Sequence, residues 1–336
     1  MRNVCLFFLT SKQYDCASVF ERAFQDLGYC CEVVRYPHFF LVTSSRLHDL
    51  RARLQIESSK HFVIFFADTT ELFLNEPDYT LTFSAYRTWY NTERMRVIPH
   101  LWTPVKALDA IDHPKWIGKP PLRVGFMGGA HSGSRLAQLI LKSPQFIKEW
   151  CLRGTFLRQS RLRAAMNDLG VAIQHINSFS RLETLNTVKE KSASLRDIDI
   201  DIDIVETGFI GSEQQKKAYA EHLQRNTYIL CPRGSENYSF RIYEALSFGR
   251  VPVIIDTNVV LPPEINWDRL SVRVPYGSIA NILDYVREDY QAHSGNQFLE
   301  RQQEALSTMA NLQSMQWVKD LVDQLAQARG FAKRPH

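Results

Sequence analysis

Short apolar runs alternate along the chain with longer stretches whose apolar positions recur at helical spacing, an alternation that predicts βαβ units and parallel sheets. Val4–Leu9 is the first run, followed by the polar turn Thr10-Ser11-Lys12-Gln13 and a helical pattern from about Asp15 to Leu27. Gly28 stands where a C-cap glycine ends a helix. Cys30–Arg35, His61–Phe66, Tyr79–Ser84 and Arg96–Leu101 read as further strands, and Ser45–Ser59 as a polar helix. The pattern predicts a first α/β domain, Rossmann-like, over residues 1–102.

The texture changes over 103–121, where Pro104, Pro114, Pro120 and Pro121 sit among polar residues, as in an interdomain linker. The alternation then resumes. Strand Leu122–Met127 runs into Gly128-Gly129-Ala130-His131-Ser132-Gly133-Ser134-Arg135 and a helix to about Leu141. Strand Val171–Ile176, helix Gln214–Asn226, strand Thr227–Cys231, helix Phe240–Phe248 and strand Val251–Ile255 follow. Residues 122–295 form the expected second Rossmann-like domain. Residues 296–336, helical in period to about Arg329, form a segment expected to pack back on the first domain. Two such halves predict a cleft with its ligand at the strand ends.

Composition narrows the classes. The 336 residues are 45% apolar and 23% charged, with a formal net charge of +4, too weak to point to nucleic acid. Six cysteines include no CxxC pair, which favours reduced thiols and a cytoplasmic protein. No apolar run reaches the length of a membrane helix. Arg153, Arg158, Arg161 and Arg163, interleaved with Trp150, Phe156 and Leu157, are a candidate face for an anionic acceptor or the inner face of a membrane.

The densest chemistry lies from Tyr228 to Leu246. A buried strand ends at Pro232, Gly234 allows a tight loop, and Ser239 is placed to cap a new helix. Loop N–H groups and the start of that helix suit a diphosphate, to which Arg233 and Arg241 add charge-assisted hydrogen bonds. Glu244 stands three residues beyond Arg241 on one helical face, where its carboxylate can accept from ribose hydroxyls. This arrangement requires no metal. Glu236 precedes Glu244 with seven residues between them, the E-x7-E spacing of many GT-B transferases.

The stretch from Tyr228 to Pro275, with its Pro-Arg-Gly, Ser-Phe-Arg, Glu-Ala-Leu, Gly249-Arg-Val-Pro-Val and Leu261-Pro in order, resembles the exostosin-like glycosyltransferase family. The resemblance implies an α/β GT-B fold of two Rossmann-like domains facing each other across a cleft. It also implies a nucleotide-sugar donor, usually UDP-linked, and transfer with inversion at the anomeric carbon. Arg233, Ser239, Arg241 and Glu244 would contact the donor, with Gly234, Asn237 and Phe240 beside them. The family does not regularly carry a glutamate at the position of Glu236. The length and the lack of a membrane anchor look more like a bacterial surface-polysaccharide enzyme, with a glycan or lipid-linked glycan as acceptor.

Other candidates are looser. Gly129, Ser132 and Arg135 follow a strand and open a helix, where glycines let a phosphate or sugar approach the backbone. Asp197-Ile-Asp-Ile-Asp-Ile-Asp-Ile204 repeats DxD, a metal motif in another transferase class, but its alternation favours an edge strand or hairpin with a solvated acidic face. An inverting transfer needs a base, and Asp68, Glu71 or His100 of the first domain are candidates, Asp68 foremost. Arg241 and Glu236 complete the candidate catalytic set. No cofactor or metal is expected; the base and sugar of the donor stay open. A nucleotide-sugar epimerase of the same fold and a non-catalytic glycan- or nucleotide-binding subunit are the competing readings.

Overall fold

The structure, a computed structural model, describes residues 3–8, 14–35, 60–67, 78–88, 90–100, 115–130, 135–152, 179–193, 195–205, 212–234 and 237–331. The chain divides into two compact units: Met1–Thr103 with Val260–Pro262 and Asn311–His336, and Pro104–Val259 with Pro263–Ala310. Both are α/β with parallel sheets, as the alternation of the sequence predicts. The helix expected at Ser45–Ser59 and the strand expected at Val171–Ile176 lie outside the described residues.

In the first unit, β1 (Asn3–Phe8), α1 (Tyr14–Asp26), β2 (Cys31–Arg35), β3 (His61–Ala67), β4 (Tyr79–Thr82) and β5 (Met95–Val97) build a sheet of order β2-β1-β3-β4-β5. Every pairing is parallel. Val4, Cys5 and Leu6 are fully buried, as a strand covered on both faces requires. Phe20, Ala23 and Phe24 put the apolar stripe of α1 against the sheet, and the Phe20 ring meets Phe66 edge-on at 4.9 Å. Gly28 (φ 77°) ends the helix as the sequence predicts, letting Tyr29 N–H reach back to the Phe24 carbonyl at 2.9 Å.

The second unit contains β6 (Arg123–Gly128), α2 (Arg135–Leu141), α3 (Gln145–Leu152), α4 (Phe179–Ser192), β7 (Asp199–Ile204), α5 (Glu213–Arg225) and β8 (Tyr228–Cys231). It continues with α6 (Arg241–Ser247), β9 (Val251–Asp256), β10 (Val272–Pro275), α7 (Ile282–Ala292) and α8 (Gly295–Leu312). The sheet order is β10-β9-β8-β6-β7. Val124, Phe126, Tyr228, Leu230, Val251 and Val253 form its buried centre. The proline-rich stretch packs on this unit: Trp116 N–H donates to Gln302 Oε1 at 3.0 Å, and Tyr290 O–H donates to the Pro120 carbonyl at 2.8 Å.

The C-terminal helical pattern divides in two. Leu312 ends α8, and Ser314 caps a new helix, α9 (Met315–Arg329), its Oγ accepting from Trp317 N–H at 3.1 Å. That cap explains why one long period becomes two helices. Helix α9 packs on α1: Lys319 pairs with Asp26 at 2.8 Å, and Tyr29 O–H donates to Asp323 at 2.9 Å. Phe331 then closes against Phe24, Tyr29 and Phe62. Among the described residues no helix is long and apolar enough to cross a membrane.

Candidate functional site

Strand β6 sits between β7 and β8, so successive strands of the second unit leave it in opposite directions. Such a reversal leaves the carboxyl ends of the two flanking strands uncovered, which is where open parallel sheets bind ligands. Strand β6 ends in Gly128-Gly129, and β8 ends in Cys231-Pro232-Arg233-Gly234.

Arg241, the first residue of α6, joins these two ends. Its Nε and Nη2 donate to the Met127 carbonyl at 3.0 and 2.8 Å, and its guanidinium lies 4.4 Å over the Phe126 ring. Gly128 is what lets it through. A Cβ there would stand 1.8 Å from Arg241 Nη2, and the residue adopts φ 147°, which side chains rarely do.

Glu244 stands one helical turn on, and Tyr219 of α5 donates its phenolic hydrogen to Glu244 Oε2. Burial raises the Glu244 carboxyl above the usual range; the Tyr219 hydrogen bond and the Arg241 charge pull the other way. Burial also raises the Tyr219 phenol, and the facing Glu244 adds to it. The hydrogen bond uses one carboxylate oxygen, and the other has acceptor capacity left.

Arg233 is buried and tied into the loop: its Nη1 donates to Asn237 Oδ1 at 3.0 Å, which also accepts from Thr257 Oγ1 at 2.6 Å. Gly234 N–H closes the turn on the Tyr238 carbonyl at 3.0 Å. Ser239 does not cap α6. Phe240 occupies the N-cap position without a side-chain hydrogen bond, while Ser239 is buried and offers its carbonyl to Ile242 N–H at 3.2 Å. The turn starts one residue later than the pattern predicts, and the hydroxyl is left for another role.

The structure therefore brings together Gly129, Arg233, Gly234, Asn237, Ser239, Phe240, Arg241 and Glu244 at the ends of β6 and β8. Arg135 opens α2, but its side chain lies outside the described residues, as do Asp68, Glu71, Ser132 and Glu236. His100 is buried with its ring 4.2 Å from that of Phe83.

Sequence reasoning misses Arg181, on α4. Its Nη1 donates to the Gly129 carbonyl at 2.9 Å and its Nε to the Arg233 carbonyl at 3.3 Å, bridging the two strand ends. Burial, and then the charge of Arg241, pull its pKa down to about 9. The Ser-Phe-Ser-Arg-Leu context around it carries no motif.

The aspartate repeat forms β7, an edge strand parallel to β6. Three of the four aspartates of its acidic face are paired, and Asp203 is exposed. Asp197 meets Arg287 at 2.8 Å, Asp199 meets Arg123 at 3.1 Å, and Asp201 meets Arg225 at 2.6 Å.

Residues 181–288 match the family model of the exostosin GT47 domain. A probable glucuronosyltransferase of Oryza sativa subsp. japonica is 42% identical over 65 residues, 19% of this chain and 15% of that protein. A probable glycosyltransferase of Arabidopsis thaliana is 38% identical over 78 residues, 21% of this chain and 17% of that protein. The matched segment is thus a small part of the length of these relatives. A glycosyltransferase from Rickettsia africae ESF-5 aligns over 97% of this chain and 98% of its own, at 9% identity and a TM-score of 0.39.

Proposed function

We propose that this chain, whose residues 181–288 match the exostosin GT47 domain, is an inverting glycosyltransferase acting on a nucleotide-sugar donor, UDP-linked by preference. The observation that carries this reading is Arg241. Its guanidinium is locked over Gly128 at the carboxyl end of β6, with the Glu244 carboxylate one turn away at the end of β8. In this reading the diphosphate meets Arg241, and the ribose donates to the free oxygen of Glu244. Arg233 and Asn237 hold the loop that carries them.

The transfer is a direct displacement. The acceptor oxygen forms its bond to the anomeric carbon, the bond from that carbon to the diphosphate breaks, and the acceptor proton passes to a base. A fixed cation on the departing diphosphate lowers the barrier most where charge develops. The acceptor is proposed as a glycan or lipid-linked glycan in polysaccharide synthesis, in the cytoplasm or at the inner membrane face. No metal is required in this scheme, because guanidiniums carry the phosphate charge.

Calorimetry with UDP, GDP, CMP and ADP, with and without manganese, tests it. Selective, metal-independent binding of one nucleotide, lost in Glu244→Ala, is the expected result. Binding of none of the four would overturn the donor assignment. Incubation with a panel of UDP-sugars and no acceptor gives UDP or no product; a new sugar nucleotide would make the protein an epimerase instead.

A further inference from the structure

We infer that Arg181 is a second ligand of the diphosphate, facing it together with Arg241 as a pair of guanidiniums. This rests on the donor reading above and adds to it a residue outside the strand–loop–helix segment. Three observations carry it. Arg181 and Arg241 are anchored on the same strand end, through the carbonyls of Gly129 and Met127, two residues apart. Each uses Nε and one terminal nitrogen for these anchors and the Arg233 carbonyl. Among the described residues no hydrogen bond engages Arg181 Nη2 or Arg241 Nη1.

Neither guanidinium forms an ion pair among the described residues, whereas Arg123, Arg225, Arg273 and Arg301 each do. Glu244, the acid nearest Arg241 in effect, is held by Tyr219. Two like charges side by side, both half-buried, are unfavourable until an anion lies between them. A brace across the two loops needs donors, and a neutral amide would supply them. A second positive charge with an unused N–H is what a diphosphate needs and a monophosphate does not. Gly234 leaves room for it, since a Cβ there would come within 3.2 Å of Arg181 Nη2.

The test is calorimetry of inorganic pyrophosphate, UDP and UMP, in metal-free buffer, on the wild-type chain, Arg181→Lys and Arg181→Gln, with thermal melts to confirm folding. The expected result is that Arg181→Gln weakens pyrophosphate and UDP by about tenfold or more, while UMP changes by less than about threefold. Arg181→Lys, which keeps the charge, should recover most of the loss, and Arg181→Met takes the place of the glutamine variant if that one does not fold. Equal losses for UDP and UMP would reduce Arg181 to a brace. Unchanged pyrophosphate binding, or none to the wild type, would overturn the inference outright. Pyrophosphate binding that depends on Arg181, with no contribution from any nucleotide, would uphold the clamp and sink the nucleotide-sugar reading instead.

Discussion

The carboxyl ends of β6 and β8 and the outer edge of β7 belong to one sheet and are both rich in charge, yet they treat it oppositely. At the edge each of Asp197, Asp199 and Asp201 has its arginine. At the strand ends Arg181 and Arg241 stand together without an acidic partner among the described residues, and the half-buried acid nearby, Glu244, is bound by a tyrosine. Charge alone therefore does not mark a site. What distinguishes the strand ends is a pair of like charges that the fold holds close together and leaves uncompensated, an arrangement that an anion would complete.

The sharpest way to break this contrast is Gly128→Ala. The new Cβ would fall 1.8 Å from Arg241 Nη2, on a backbone conformation only glycine adopts freely. A loss of about 3 kcal/mol or more in denaturant unfolding is expected, with nucleotide binding abolished because Arg241 must leave Met127. A folded variant that binds UDP normally would show that Arg241 does not need its perch. Arg241→Ala comes next. It removes the cation without straining the backbone, so turnover of a UDP-sugar should fall on the order of a hundredfold while the melting temperature changes little. Unchanged turnover would remove Arg241 from the site.

Glu244 sharpens the comparison from the other side, because here burial of a carboxyl works against stability. Burial raises its folded pKa above the unfolded value. Its contribution to stability is therefore fullest below the unfolded pKa and declines as pH rises through the folded pKa. At pH 7, above the unfolded value, the raised carboxyl is therefore a burden on the unliganded chain. Glu244→Gln should raise the melting temperature at pH 7, an advantage that shrinks at acid pH, while weakening UDP by about tenfold. A variant less stable than the wild type at pH 7 would mean that the Tyr219 hydrogen bond outweighs burial.

Legibility followed the same divide. The loop through Arg233 and Gly234, and the placing of Arg241 and Glu244 one turn apart on one helix, were readable because strand, turn and helix are consecutive in the chain, and residues three apart on a helix share a face. The alternation of Asp197–Ile204 gave its edge strand for a similar reason, since a two-residue period is local. Arg181 was not readable. It lies 60 residues before Arg241, and only the packing of α4 brings its guanidinium to Gly129. The reason for Gly128 was equally hidden: the sequence marks a glycine turn, whereas the need for glycine comes from a side chain 113 positions away. Ser239 shows the limit in a local motif, where a shift of one residue gave the N-cap position to Phe240.

The smallest expected effects lie at the β7 edge, and they grade with burial. Burial alone would raise the Asp201 carboxyl, yet hydrogen bonds from Arg225 and Asn226 more than offset it and hold its pKa down to about 2. A folded pKa below the unfolded one contributes stability that is present above the unfolded value and lost as pH falls through the folded value. Asp201→Asn should therefore cost about 1 kcal/mol at pH 7, with the gap to the wild type closing between roughly pH 4 and 2. Asp199 meets Arg123 in the open, its side chain 66% exposed, where water and salt screen the pair. Asp199→Asn should change stability by less than about 0.5 kcal/mol. Neither substitution should alter UDP affinity, because both side chains are already satisfied by the chain itself. A matching loss of nucleotide binding in either variant would move the edge into the site and end the distinction between compensated and uncompensated charge.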